Sequence, residues 1–360
     1  MIINIHKVYL LKKFLKKIFL IFGVFFFLVL ILNLIEEVNF LKNTDSDFLT
    51  PFFLTFLNTP SILYEIFPFI FILGTQFFFI DIFEKKEIYT LRQFGFNNFD
   101  VLKLLSINSI ILGFLIVVIF YNFSAILKNE YLKIKNKFAN DNKYLAAITK
   151  NGLWIKDMNN EEIVIINSDK IEKNYLFNVT LSQFNKEYVL KKNIVSRKID
   201  ITKFNWILYD ATVINFDNST LNYEKLNFKS NFNYEKINNL FSDLSALTYL
   251  ELRKLKETHK SIGYSTEEID LQSHKIYTFP FLMLLMTVIS SIIMINNKFK
   301  KNIVLNIIIG VLFSVLVYYI SHFSGLLGES GKIPLILSVW FPVIIIFIIS
   351  LIGIIKINEK

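Results

Sequence analysis

The sequence predicts a membrane α-helical protein with six transmembrane helices and an antiparallel β domain inserted between helices three and four. Three observations predict it. Long apolar runs occupy both ends of the 360-residue chain and a polar stretch occupies its middle. The composition, with 53% hydrophobic residues, 39 phenylalanines and a mean hydropathy of +0.47, is too apolar for a protein whose only solvent is water. The middle stretch also changes period, from continuous apolar runs to short β-branched and aromatic runs separated by Asn, Asp and Lys.

Helix one follows Lys12, Lys13, Lys16 and Lys17 and covers residues 18–35, close to the roughly 20 residues that span a bilayer core. A signal peptide is the alternative reading. The run is longer than a signal peptide's apolar region, and Asn33, Leu34, Ile35, Glu36 and Glu37 stand where a small-residue cleavage site would be, so it reads as an anchor. Helix two is expected at 61–83 behind Pro60, helix three at 101–127, helix four at 276–295, helix five at 303–323 and helix six at 334–355. Short loops on one side carry Lys85, Lys86, Arg92, Lys298, Lys300, Lys301, Lys356 and Lys360. The opposite loops carry only Lys42 and Lys332, against Glu36, Glu37, Asp45, Asp47 and Glu329. By the positive-inside rule both termini are cytoplasmic, and the middle segment is periplasmic if the cell has an outer membrane. The chain thus divides into 1–127, with helices one to three and a cytoplasmic segment at 84–100; 128–275, the external domain with its connecting helix; and 276–360, with helices four to six.

In the external domain, residues 162–166, 188–190, 204–209 and 211–214 read as strands of an antiparallel sheet. Trp206 and Leu208 alternate with more polar neighbours, as in a sheet with one covered face. Phe204, Trp206 and Leu208 could line a binding cavity or fill an ordinary sheet core. From Leu244 to about Thr258 the period becomes helical, with Leu244, Leu247, Leu250 and Leu255 near one side.

Several function classes drop out. The net charge of +9 forms no single basic face or arm, so nucleic acid is not an expected partner. With no cysteine there is no disulfide framework, thiolate metal site or cysteine nucleophile. His6, His259, His274 and His322 are scattered without metal-ligand spacing, and nothing asks for a cofactor. Gly328 to Lys332 has the wrong spacing for a phosphate-binding loop, so the chain is not expected to hydrolyse ATP. Ser321 and His322 lack the acid partner of a hydrolase, which leaves packing or headgroup contact for His322. Asn33, Glu65, Gln76, Asp81, Asn306 and His322 are the polar residues within or near the apolar runs, too few for ion-driven transport. The segment 84–100 is amphipathic, with Ile88, Leu91 and Phe94 or Phe96 on one side and Gly95 placed to stop a helix. Spacing alone suits a partner-docking helix or a solvated loop on the membrane surface.

Four stretches together resemble the lipopolysaccharide-export permease family LptF/LptG. They are Leu34 to Val38; Lys86 to Phe96, similar to the family's coupling segment; Gly152-Leu153-Trp154-Ile155-Lys156-Asp157; and Lys332-Ile333-Pro334 leading to Trp340-Phe341-Pro342. The last two lie nearer LptG than LptF. The resemblance implies an inner-membrane permease with a periplasmic β-jellyroll, paired with a sister LptF-like permease. Its energy would come from a cytoplasmic dimer of LptB-like ATPases, and its external domain would join a bridge beginning with an LptC-like protein. Lipopolysaccharide would enter between helix one of one subunit and helix five of the other. The coupling segment would act through Glu87, Leu91, Arg92, Phe94 and Gly95, the charged residues meeting the ATPase and Leu91 and Phe94 filling its groove. Lipid contact would fall to Asn33, Glu36, Asn39, Lys42, His322 and Trp206. Members of the family often place lysines along helix one for the lipid phosphates. Here Asn33 and Asn39 stand there, with Lys42 the nearest cation, so headgroup recognition departs from the pattern. A lipoprotein-release or mechanotransmission permease would show fewer spans, and a membrane-anchored enzyme would need a catalytic constellation in 128–275. A membrane-anchored scaffold is the remaining alternative.

Overall fold

The computed structural model describes the chain apart from residues 1–4, 43, 45, 139–152, 160–161, 173, 186, 217–218, 235–236, 238–242, 262–264, 296–301 and 359–360. Asp45, Gly152, Lys298, Lys300, Lys301 and Lys360, used above for orientation and motif, lie outside the described residues. Two compact units emerge, one of Met1–Lys128 with Glu267–Lys360 and one of Asn129–Thr266.

Among the described residues, six helices are long and apolar enough to cross a membrane and lie in the first unit: α1 (Ile5–Leu41), α2 (Thr50–Glu84), α4 (Asn98–Phe138, which leaves that unit after Lys128), α6 (Glu267–Ile295), α7 (Ile303–Glu329) and α8 (Leu335–Asn358). A short α3 (Glu87–Gln93) lies between α2 and α4. All six spans foreseen from the sequence are present, but most are longer. At 1.5 Å per residue α1 measures about 55 Å, well beyond a hydrocarbon core of roughly 30 Å, so Lys12 to Lys17 ride on the helix rather than precede it. Helix two begins eleven residues before its expected start, and Pro60 and Pro68 lie inside it. A packed bundle satisfies the carbonyls that prolines release, and the Thr55, Thr59 and Thr75 hydroxyls bond back to carbonyls one turn earlier.

The α2 and α6 helices are central, with 56% and 72% of their most apolar window buried, against 22% in α1, α4 and α7. Small residues and hydroxyls mediate the close crossings, as expected where lipid gives helices no hydrophobic reason to associate. Gly113 of α4 lies against Pro280 of α6, and one turn away Ser109 Oγ meets Thr287 Oγ1 at 2.7 Å. Ser290 of α6 donates to the Ile72 carbonyl of α2 at 2.8 Å. On α2, Gln76 is fully buried, packs on Gly310 of α7 and donates from Nε2 to the Asn306 carbonyl at 2.7 Å. A π-helical turn, Ile116–Tyr121, interrupts α4. Tyr121, buried at its end, packs on Tyr64, whose ring stacks on Phe279 at 4.4 Å.

The second unit is an antiparallel six-stranded sheet: β1 (Leu153–Asn159), β2 (Glu162–Glu172), β3 (Tyr175–Phe184), β4 (Leu190–Asp200), β5 (Asn205–Asn215) and β6 (Thr220–Lys229). Spatial order follows chain order, and the sheet curls into a jellyroll-like domain. Its closure is visible at Asp157 on edge strand β1. That buried carboxylate accepts from Ser230 Oγ at 2.7 Å, the Asn231 backbone N–H at 3.0 Å and Asn231 Nδ2 at 2.8 Å, all just beyond the opposite edge strand.

A crease crosses the sheet and supplies the bend. Asn178 on β3 and Asp210 on β5 have positive φ, and the register skips them. Opposite them the buried Ser168 and Ser196 hydroxyls stand near carbonyls on both strands: Lys170 (3.0 Å) and Phe177 (2.8 Å) for Ser168, Lys198 (3.0 Å) and Tyr209 (2.6 Å) for Ser196. Each ladder thus repeats the same unpaired step, with one residue skipped on both strands and the register unchanged across it.

Some local expectations give way here. The runs 204–209 and 211–214 form one strand, because Asp210 takes a positive φ while the pairing continues in register on both sides of it. Tyr188 and Val189 are exposed loop residues ahead of β4, and Asn185 organises that loop by accepting backbone N–H bonds from Glu187 and Val189. The helical stretch opens with a single 3₁₀ turn, Leu244–Ala246, and the α-helix proper is α5 (Tyr249–Ser261), entered through reciprocal Thr248 and Glu251 bonds. Leu252 and Leu255 are its buried leucines while Leu250 is exposed, since the helix starts later than the leucine spacing assumed.

Candidate functional site

The segment between α2 and α4 is built by its termination signals. Lys86, with φ of 57°, breaks the backbone after α2, and α3 then runs only from Glu87 to Gln93. Gly95, at φ of 80°, stops it. Gly95 N–H donates to the Arg92 carbonyl at 3.0 Å and Phe96 N–H to the Leu91 carbonyl at 3.0 Å, the paired bonds of a Schellman termination. The next helix starts at once, because Asn97 and Asp100 cap each other's backbone N–H at 2.7 and 3.0 Å.

The faces of α3 divide sharply. Ile88 and Leu91 are buried in the apolar cluster that includes Leu10 and Phe14 of α1. Tyr89 and Phe94 are 63% and 59% exposed, and Arg92, also exposed, lies 3.3 Å from Asn98 Oδ1. A groove of about 170 Å³ beside them is lined by Phe83, Ile88, Tyr89, Arg92, Asn98 and Ile295. Of the residues expected to meet a partner, Arg92 and Phe94 are therefore presented outward and Leu91 is part of the bundle's own core.

Glu87 turns toward α1. Its Oε1 accepts from the Tyr9 hydroxyl at 2.8 Å and its Oε2 from Lys13 Nζ at 2.6 Å. Lys13, whose side chain is only 9% exposed, also meets Asp81 Oδ2 of α2 at 2.6 Å. Lys17 and Lys85 reach the other Asp81 oxygen at 3.3 and 3.4 Å. At the end of α3 the His6 ring packs against Phe94 at 4.3 Å. Sequence reasoning noted these cations and Asp81 separately and missed their union. The available signal was Asp81 within a long apolar run: such a carboxylate needs a cation nearby, and Lys13 and Lys17 are the cations on the adjacent helix.

The residues expected to contact lipid fall into different settings. On α1, Asn33 is buried, its Nδ2 donating to the Thr55 carbonyl of α2 at 3.2 Å and its Oδ1 accepting from Asn58 at 3.2 Å. Glu36, Asn39 and Lys42 are exposed on or just past the same helix end, and Glu37 beside them is buried. Exposed on α7, His322 lies parallel to the Tyr318 ring at 6.1 Å. Trp206 is fully buried in the sheet, and its Nε1 donates to the Phe232 carbonyl at 2.7 Å. The structure brings none of these together except Glu36, Asn39 and Lys42. Phe204 is 47% exposed and Leu208 fully buried. Among the described residues no group of three His, Asp or Glu is arranged to hold a metal.

In comparison with known proteins, the model of the family described as lipopolysaccharide export system permease LptF/LptG matches residues 8–356. No curated protein matches the chain.

Proposed function

The chain belongs to the LptF/LptG permease family of lipopolysaccharide export systems, and on that premise we propose that it is a multi-pass inner-membrane subunit that helps withdraw lipopolysaccharide from the bilayer at the expense of ATP hydrolysed by a separate partner. The observation that carries the reading is the family match over nearly the whole chain, on an architecture of six apolar spans and a curled β domain.

The energetics require such a division of labour. Removing a lipid with many acyl chains costs about 0.8 kcal/mol per CH₂, so an outside energy source has to act on the membrane helices. In this reading α3 is the cytoplasmic element that meets an LptB-like ATPase dimer, through its outward residues Tyr89, Arg92 and Phe94. Leu91 and Ile88 hold it to the bundle, Gly95 sets its length, and Glu87 serves within the chain. Exposed apolar side chains support lateral entry of lipid along α1 and α7, with Phe19, Phe27 and Ile31 on the former and Leu312, Leu316 and Phe323 on the latter. The pair is completed by a sister LptF-like permease, and the motifs at 152–157 and 332–342 favour the LptG place for this chain. The external domain passes lipid to an LptC-like bridge. Glu36, Asn39, Lys42 and His322 are the groups accessible to a headgroup. Trp206 supports the domain from within.

The test is co-purification of tagged protein from mild detergent, followed by ATP-dependent release of lipopolysaccharide from reconstituted membranes. Wild type is expected to bring down an ATPase and a second six-span permease and to release lipid. Phe94→Asp is expected to accumulate normally and lose the ATPase. Recovery of wild type alone, without lipid release, overturns the reading.

A further inference from the structure

Side chains on one face tie the N-terminal turns of α1 to α3. His6, Tyr9, Lys13 and Lys17 recur three or four residues apart and so share one face of the helix. Along it, His6 packs on Phe94, Tyr9 and Lys13 hold the two oxygens of Glu87, and Lys13 and Lys17 hold Asp81. The adjacent face adds Leu10 and Phe14, both fully buried in one cluster with Ile88 and Leu91. Lys13, 9% exposed, bridges Glu87 of α3 and Asp81 of α2, so separating it from Glu87 would give up one of its two ion pairs in a partly desolvated site.

The covalent joints of α3 are different. It meets α2 through Lys86 at φ of 57° and α4 through Gly95 at φ of 80°, so the helical hydrogen-bond ladder is interrupted at both ends of α3. Its side-chain ties to α1 cross neither joint. The recipient, α1, is a peripheral helix buried over only 22% of its apolar window and packed chiefly on α2.

We propose that the segment His6 to Lys17 is the transmission arm of this permease: Tyr9 and Lys13, clamped on Glu87, make α1 move with α3, so that displacement of α3 becomes displacement of the lipid-facing helix. Tyr9 and Lys13 are positioning residues, acting through Glu87 and touching neither lipid nor nucleotide. The inference rests on the reading of α3 as the ATPase-facing element. The wild-type arm of the test examines that reading by itself.

The chain has no native cysteine, so Lys13→Cys with Glu87→Cys places two thiols where the ion pair stood. The complex is reconstituted with lipopolysaccharide and with partner cysteines removed, and both ATP hydrolysis and lipid release are measured. Without cross-linker, the double variant is expected to retain its ATPase and hydrolyse ATP while lipid released per ATP falls about tenfold, the scale of a typical coupling free energy. A short bis-maleimide, to whose two double bonds the two introduced thiols add with no leaving group, restores the tie covalently and is expected to bring the ratio back to at least about half of wild type. Tyr9→Phe, which removes one hydroxyl and keeps the fold, is expected to lower the ratio about two- to threefold. A wild-type ratio in either variant, or a cross-linked complex that hydrolyses ATP but releases no lipid, overturns the inference. If wild type itself hydrolyses ATP without releasing lipid, the function proposed above fails and the inference falls with it.

Discussion

Gly113→Ala tests the packing at the centre of the membrane unit. A Cβ at Gly113 would lie 2.7 Å from Pro280 Cα, 3.1 Å from Pro280 Cβ and 3.3 Å from the Pro280 carbonyl oxygen. Carbon atoms in ordinary contact sit about 3.5 to 4.0 Å apart, so α4 and α6 would have to part by roughly 1 Å. Proline backbone inside a helix cannot swing aside as a flexible side chain would. Parting also stretches the Ser109 to Thr287 hydrogen bond, now 2.7 Å and one turn away. Overpacking of this kind costs about 1–3 kcal/mol, and an interhelical hydrogen bond in a membrane about 0.6 kcal/mol more. Against that stands the gain of about 1 kcal/mol from replacing glycine by alanine in a helix. The net expectation is a loss of about 0.6–2.6 kcal/mol. The matched control is Gly23→Ala in α1, where a Cβ meets nothing within 4 Å and only the gain should remain. Thermal unfolding of both variants in one detergent should place Gly113→Ala below wild type and Gly23→Ala at or above it. If Gly113→Ala unfolds no earlier than wild type, the close crossing of α4 and α6 is not as described.

Four further outcomes follow from buried groups. Asp157→Ala abandons three donors at once and should cost about 3 kcal/mol, read as faster hydrogen exchange in β1 and in residues 230–232 of the full-length protein. Trp206→Phe leaves the Phe232 carbonyl without its indole donor and should destabilise the sheet by about 1–3 kcal/mol, visible as an earlier domain transition. Leu91→Asp puts a carboxylate into the bundle core and should sharply lower the yield of folded protein, whereas the exposed Phe94→Asp should leave yield unchanged; equal yields would contradict the assigned faces of α3. Asn33→Ala removes both links from α1 to α2 and should lower stability in detergent by about 1–2 kcal/mol, with headgroup binding unaltered in a lipid-binding assay.

The spans were legible because apolar length is a local property, counted along the chain without knowing what packs on what. Their true ends were not. Lys12 to Lys17 looked like a flank of helix one because lysine does not belong in lipid, and they continue the helix because Asp81 and Glu87 wait beside two of them. The strand at Trp206 announced itself by alternation, yet Asp210 read as a break where the folded strand continues in register through a residue of positive φ. Leu91 and Phe94 looked alike as apolar residues three apart, and only the bundle decided that one faces inward and the other outward.

By itself, the sequence determined the membrane class, the six spans, the inserted β domain, the stop at Gly95 and the family resemblance, all of which depend on residue type within short windows. Tertiary structure alone decided which charges meet. Glu87 lies 74 residues from Lys13 and Asp157 lies 74 from Asn231. A buried ion or carboxylate selects its partner by distance and desolvation in the folded chain, and neither quantity is carried by sequence spacing.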